Sequence, residues 1–462
     1  MKEFQINKHL SLRLENHKTV IYVANKRFRT CKYLLINIKP EDSKYDNLKS
    51  IDEIIVSYKR KNKAKGRILN PETEFWGHCS NIQAWAENKY DSHLLDMYLA
   101  FPLLKELADA GERRAKKVFK EEIARRFQEG NTTVRKFLIE EGYINYLKEI
   151  ELNAIGIIWV EYNGEKIPVI DNHLYLQKRD IDNLNKVKGL FSIPSLKILT
   201  LYNNNLSTIP QAIGNLKDLQ SLRIDDNYIS TLPKSIGNLT SLKSLWAQYN
   251  NLSSLPVTIG NLKNIEVLWL QKNNITHLPE SLGNLGSLKK LWLRCNHLKN
   301  LPKSIGNLRN LEKLRLGDNN LTILPESLGN LHSITNLELQ RNNLIQLPDS
   351  IGNLHSLKNL SLYNNQLECL PESMGNLCSL EHLYLNVNKI TKLPESLGEL
   401  QFLKKLSLSG NRLRKLPKSL LDLPALTHLN IMNNSLEASN APLIDSLKEK
   451  GVHINDFDIW DF

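Results

Sequence analysis

From Leu196 onward, apolar and polar positions follow one recurring unit, as in LKSLWAQYNNLSSLPVTIGN and LEKLRLGDNNLTILPESLGN. Within LEKLRLGDN, Leu314 and Leu316 alternate with Lys313, Arg315 and Gly317. A period of two predicts a short strand with one face inward. Asn204, Asn227, Asn250, Asn273, Asn296, Asn319, Asn342, Asn365, Asn388, Asn411 and Asn434 mark the unit, each 23 residues after the last. No unit can bury its leucines alone. A stack is therefore predicted, with strands side by side in a parallel sheet and a cap at each end.

Each asparagine falls where the chain leaves the sheet. Its amide both donates and accepts, so it can pair turn backbone groups that burial would leave unmet. Pro325 fixes φ at the start of the return path, and ESLGNL predicts a short 3₁₀ or helical turn with Leu328 and Leu331 inward. Gly329 is expected to serve a tight or left-handed bend there. The whole unit reads L-x-x-L-x-L-x-x-N-x-L, then x-x-L-P-x-S-I/L-G-N-L. This pattern resembles the leucine-rich repeat over roughly residues 171–440. Its LPxSIGNL half is similar to the 23-residue class of Ras-group-related and plant intracellular leucine-rich repeat proteins. The resemblance implies an α/β fold, a leucine-rich repeat solenoid shaped as a horseshoe with a parallel concave sheet.

The remaining pattern divides further. LSLRLE, TVIYVA and YLLINI, within residues 10–38, read as strands with a tight turn near Asn16–Lys18. Residues 57–67 carry six basic residues, Lys59, Arg60, Lys61, Lys63, Lys65 and Arg67, and read as a solvated loop. From Trp76 to about Leu152 apolar residues recur at three and four, predicting short antiparallel helices, with Asn131 or Thr132 as one cap. Asn163-Gly164 between alternating runs predicts a hairpin that covers the first open sheet edge. DNHLYLQKRDIDNL reads as a degenerate first repeat with Arg179 in the asparagine position, and NAPLIDSLKEKGVHI as a helix followed by a strand. The acidic and aromatic tail NDFDIWDF either docks on the last repeats or serves as a linear motif.

The expected organisation is a β-rich segment with a basic loop at 1–70 and a helical subdomain at 71–153. A hairpin cap and degenerate repeat at 154–195, leucine-rich repeats at 196–436, and a C-terminal cap and tail at 437–462 complete it. The first two make a small α+β, mainly helical N-terminal domain. FWGHCSNIQAWAENKYDSHLLDMYLAFPLLKELADAG resembles a module that precedes leucine-rich repeats in archaeal proteins, a likeness that implies no activity.

Charge adds little. The net +12 is divided equally between residues 1–170 and 171–462, whereas a nucleic-acid module concentrates its charge. The first residues do not predict a signal peptide, and no stretch approaches 18 apolar residues. The five cysteines form no CxxC pair and suggest neither a disulfide framework nor a zinc ribbon, which favours a cytoplasmic location. His78-Cys79, with His93 nearby, is the one His/Cys cluster, and it lacks the four-ligand spacing of a zinc site. No phosphate-binding loop or dinucleotide fingerprint is present, so no metal, cofactor or catalytic residue is expected.

The outward columns carry the informative residues. One reads Thr200, Arg223, Trp246, Trp269, Trp292, Arg315, Glu338, Ser361, Tyr384, Ser407 and Asn430. A core column is aliphatic throughout, so this one faces solvent. Three tryptophans on neighbouring strands make a stripe of roughly 10 Å, flanked by Arg223 and Arg315, with Arg294 and Tyr249 in adjacent columns. Arg341 is expected to pair with Glu338. Trp, Tyr and Arg are the residues most often found at interface hot spots. The expectation is a non-enzymatic protein-protein interaction scaffold of intracellular signalling. Its partner-binding residues are Trp246, Trp269, Trp292, Arg223, Arg294, Arg315 and Tyr249. The resemblance implies a protein partner such as a small GTPase. One alternative is an N-terminal enzyme or nucleotide-binding regulator using Cys79, and a weaker one is RNA binding through residues 57–67 and the aromatic stripe.

Overall fold

The structure is a computed structural model that describes residues 2–30, 71–91, 94–95, 97–130, 132–155, 157–193 and 195–455. The YLLINI strand, the basic run, Asn131, His93 and the tail beyond Asn455 lie outside the described residues. The chain divides into two units, Met1–Ile157 and Ile158–Phe462.

In the first unit, alternating residues build four antiparallel strands in chain order, Lys2–Asn7, Leu10–Glu15, Lys18–Val23 and Lys26–Thr30. Asn16-His17 and Ala24-Asn25 turn with φ of 46° and 61° and of 46° and 63°. These left-handed pairs match the twist of a two-residue hairpin. The first and last strands were not expected from the sequence. Among the described residues both lie at the edges of this sheet and carry charge, and edges are kept charged to discourage further pairing. Among the described residues, the helix Pro71–Glu87 starts ahead of Trp76 because proline suits the opening helical position. It buries Phe75, Cys79, Ile82 and Trp85. Further helices span Met97–Asp109, Arg113–Glu129, Thr132–Glu140 and Glu149–Ala154. Phe101 and Phe119 both pack edgewise or tilted against Tyr143, at 5.3 and 5.7 Å between ring centres.

In the second unit, thirteen short strands form one sheet in strict chain order, from His173–Tyr175 to His453–Ile454. Pairing is parallel, and equivalent residues align, with Leu245 beside Leu268 and Trp246 beside Trp269. Leu245, Leu268, Leu291 and Leu314 are fully buried, as are Ile259, Leu282, Ile305 and Leu328 in the facing 3₁₀ segments. The 3₁₀ segments from Gln211–Asn215 to Lys418–Asp422, such as Glu326–Asn330, each follow an extended proline, here Pro325 with φ −73°.

The asparagines tie successive repeats together. Asn319 Oδ1 accepts from the backbone N–H of Leu298 at 3.0 Å. Its Nδ2 donates to the carbonyls of Leu293 and Leu316, each at 3.0 Å. The same triad recurs along the ladder, for example at Asn250, Asn296, Asn365 and Asn411.

Two expectations are corrected. Gly329 does not adopt a left-handed conformation. It is glycine because a Cβ there would collide with the carbonyl oxygen of Ser350 in the next repeat. The hairpin, Ile158–Tyr162 and Glu165–Val169, does not extend the long sheet but forms a two-stranded sheet of its own. Its Val160, Tyr162, Ile167 and Val169 close the end of the leucine core instead. Its turn is Asn163-Gly164, with φ of 50° and 80°. The first repeat is two residues longer than the internal ones, since Leu174 aligns with Leu199 whereas Leu245 aligns with Leu268. That length places Arg179 in the asparagine position, where its side chain pairs with Glu165 at 2.6 Å.

Candidate functional site

Each three-residue strand sends its central leucine inward and its flanking residues to the concave side. The tryptophan column therefore lies across neighbouring strands in register. The indoles stack on one another. Trp246 and Trp269 are 4.3 Å apart between ring centres, and Trp269 and Trp292 are 4.4 Å apart and within 4° of parallel. The guanidinium of Arg223 covers the outer face of Trp246 at 4.2 Å, and that of Arg315 covers Trp292 at 4.4 Å. Arg223 also lies 4.6 Å over Tyr202. The three indoles thus form one continuous pile with a cation over each end, and Arg223 links it to Tyr202 in the adjacent column.

Carboxylates anchor both cations. Arg223 donates to Asp225 from Nε at 3.2 Å and from Nη2 at 2.9 Å. Arg315 Nε lies 3.0 Å from Glu338, though out of line for a hydrogen bond. The expected Arg341–Glu338 pair is not present. Arg341 turns instead to Asp318 at 3.5 Å, which also accepts from Arg294 Nε at 2.8 Å. The bond to Asp318 raises the Arg294 guanidinium above its ordinary pKa.

Ring faces are consumed within the pile, so the tryptophans present their edges outward. All three remain half-buried. Tyr249 stands apart on the ridge beside the sheet, exposed, with Lys272 Nζ 4.6 Å over its ring. The structure thus brings Arg223, Trp246, Trp269, Trp292 and Arg315 into one assembly and leaves Tyr249 outside it.

Beyond Arg315 the face opens into a pocket of about 320 Å³ that the sequence reading missed. Arg294, Arg315 and Arg341 line one part, and Gln340, Ser361, Tyr363 and Tyr384 another. Gly317 stands where neighbouring repeats carry Arg294 and Gln340, and Ser361 follows a run of large residues in the tryptophan column. A Cβ at Gly317 would come within 2.7 Å of Gln340 Nε2. The signal in the sequence was this loss of bulk at two nearby outward positions.

In the N-terminal unit, Cys79 is buried and its thiol is pushed up to about 12 by desolvation. His78 is equally buried, its pKa lowered chiefly by the same desolvation, with Glu74 3.5 Å away on the next turn. These neighbours do not supply the thiolate that a cysteine nucleophile requires. Among the described residues, no group of three His, Cys, Asp or Glu side chains could hold a metal ion.

Family comparisons agree with this architecture. The description "leucine-rich repeat region" matches residues 172–274 and 267–342. Further leucine-rich repeat descriptions match residues 378–436 and 356–377. The chain is a leucine-rich repeat protein. A solved leucine-rich repeat protein of Leptospira interrogans is 31% identical, with 58% of this chain and 86% of that one covered, at a TM-score of 0.34. An internalin from Listeria monocytogenes is 21% identical over 70% of this leucine-rich repeat protein and 93% of its own chain, with a TM-score of 0.52. FLRT2, solved through its leucine-rich repeats in an octameric complex with Latrophilin 3 and Unc5D, is 25% identical. It covers 62% of this chain and 90% of its own, also at a TM-score of 0.52. No curated protein matches the sequence. Leucine-rich repeat folds typically serve as protein-protein interaction modules. No helix among the described residues is long and apolar enough to cross a membrane.

Proposed function

We propose that this leucine-rich repeat protein is a non-enzymatic interaction scaffold that binds a protein partner on its concave face. The carrying observation is the pile of three indoles held between Arg223 and Arg315 on the solvent side of the sheet. The leucine core lies on the opposite side of the strands, where Leu245, Leu268 and Leu291 are fully buried. Stacking fixes the tryptophans before any partner arrives, which lowers the ordering cost of association. The contact surface in this reading is a rigid row of indole edges bordered by Arg294 and Tyr249. The FLRT2 repeats, seen within a complex of proteins, support the use of such a scaffold for protein binding.

An intracellular signalling role in the cytoplasm belongs to the same reading, supported by Cys79, Cys295, Cys369 and Cys378 all being free thiols. The unbroken 23-residue LPxSIGNL spacing supports placement in the Ras-group-related and plant intracellular class, with an archaeal-like N-terminal module ahead of it. The partner is proposed by chemistry alone, since no observation in the molecule singles out a small GTPase.

The test is a pull-down comparing wild type, the triple change Trp246→Ala/Trp269→Ala/Trp292→Ala, and Val257→Glu. Val257 is exposed on a 3₁₀ segment across the core from the sheet. Partners that the wild type and Val257→Glu both recover should be missing from the triple variant, with its circular dichroism unchanged. Recovery by all three proteins would overturn the proposal.

A further inference from the structure

We propose that the pocket beyond Arg315 binds an acidic side chain of the partner, presented by an extended peptide segment. This rests on the concave-face reading and names the chemistry recognised there. Three features converge on it.

The first is charge. Arg294, Arg315 and Arg341 line the pocket, while Asp318 and Glu338 are the carboxylates paired with them. One positive charge is left uncompensated, which suits a single carboxylate better than a doubly charged phosphate. A guanidinium carries five N–H donors. Arg294 commits its Nε to Asp318, and Arg341 meets Asp318 through one terminal nitrogen. The carboxylates therefore hold the forks in place and leave further donors for a planar two-oxygen ligand, the geometry in which arginine binds carboxylate most strongly.

The second is an unmet acceptor. Gln340 is 6% exposed and lines the pocket, and its Oε1, like those of Gln248 and Gln271 in the same column, has no hydrogen-bond partner among the described residues. A buried polar atom left unpaired costs about 1–3 kcal/mol. Rotation of the Gln340 amide toward the pocket would let a donor beside the ligand's anionic group meet it. A peptide N–H beside an acidic side chain meets both needs, and inorganic phosphate or a simple carboxylate meets one.

The third is room. The pocket holds about 320 Å³, the low end of the range for small-ligand sites. Ser361 interrupts the large outward residues there, Gly317 leaves room for the Gln340 side chain, and Tyr363 and Tyr384 also line the space. Arg341 lies 6.0 Å over the Tyr363 ring, so an anion entering there meets a cation already held against an aromatic face.

The probes are Ac-Ala-Glu-Ala-NH₂, its neutral counterpart Ac-Ala-Gln-Ala-NH₂, free glutamate and sodium phosphate. Each is titrated into the full chain, and the Trp292 region is read by fluorescence, because Arg315 touches both the pocket and that ring. The blocked glutamate peptide should bind at least about tenfold more tightly than the glutamine peptide, the loss of one charged hydrogen bond. Arg294→Gln/Arg341→Gln should remove that preference. Gln340→Leu should weaken the peptide while leaving phosphate unchanged. Equal binding of the two peptides, no binding of either up to solubility, or tighter binding of glutamate or phosphate overturns the proposal. In the pull-down, partner loss with the tryptophan triple variant but full retention with Arg294→Gln/Arg341→Gln overturns the pocket alone. Retention by both variants overturns the face as well.

Discussion

Replacing Asn319 by alanine tests the scaffold at its most constrained position. The carbonyl of Leu293 also accepts from Asn296 Nδ2, and that of Leu316 from Asn342 Nδ2, so each keeps one donor after the change. The N–H of Leu298 keeps none, because Asn319 Oδ1 is the acceptor the structure gives it. A buried unpaired N–H costs about 1–3 kcal/mol, and two lost bonds add about 1 kcal/mol each, so a loss of about 3–5 kcal/mol is expected. Asn434 sits at the C-terminal end of the ladder and is only half-buried. Water can replace its bonds, and Asn434→Ala should cost about 1 kcal/mol. Asn319→Asp sharpens the test. It keeps an acceptor for Leu298 but sets an oxygen against two carbonyls 3.0 Å away. Burial among acceptors raises the carboxyl pKa in the folded state. Its penalty is therefore absent below the unfolded pKa of about 4 and grows as pH rises above it. Repeat arrays lose two-state behaviour when an internal link weakens. Urea unfolding by circular dichroism should thus be paired with hydrogen exchange over residues 290–345. A loss under about 1 kcal/mol for Asn319→Ala, or equal losses at Asn319 and Asn434, would refute this account of the ladder.

Other outcomes follow from single residues. Val387 holds φ of 55° where the next repeat has Gly410, and its side chain is exposed. A β-branched residue is strained there by about 1–2 kcal/mol, so Val387→Gly should raise stability by about 0.5–1 kcal/mol after glycine's entropy, measured by urea unfolding. Gly329→Ala should destabilise by about 1–3 kcal/mol, because its Cβ collides with the Ser350 carbonyl. Gly286→Ala, with nothing within 4 Å, should be neutral or slightly stabilising in the same assay. Maleimide labelling at pH 8 should modify the exposed Cys369 and Cys378 and spare Cys79, whose thiol is buried and raised to about 12. Because that pKa is raised on folding, any contribution of Cys79 to stability declines as pH climbs past its unfolded value.

Much of the scaffold was legible because the asparagine spacing fixes phase, and phase separates Leu245, facing in, from Trp246, facing out. The regular hydrogen bonds of Asn319 express what the amide chemistry already implied. Other features depend on neighbours that lie far along the chain. Gly329 looks like a turn glycine until Ser350 is placed against it. The tryptophans were read as an outward stripe, and only the structure shows that stacking at 4.3 and 4.4 Å uses their faces internally. Arg341 was paired with Glu338 by proximity in sequence, while the register between strands gives Glu338 to Arg315 and Asp318 to Arg341. The pocket needs Arg294, Arg315, Gln340 and Tyr363 together, residues spread over four repeats, and no motif marks them. Lys2–Asn7 was missed because its alternation of Phe4 and Ile6 is short and broken by charges.

Site-specific photo-cross-linking tests the central claim most directly. A benzophenone amino acid placed at Tyr249, on the ridge beside the tryptophans, should form an adduct with the partner in a reconstituted complex. The same group at Val257, across the core, should form none. An adduct at Val257 with none at Tyr249 would contradict the concave-face account.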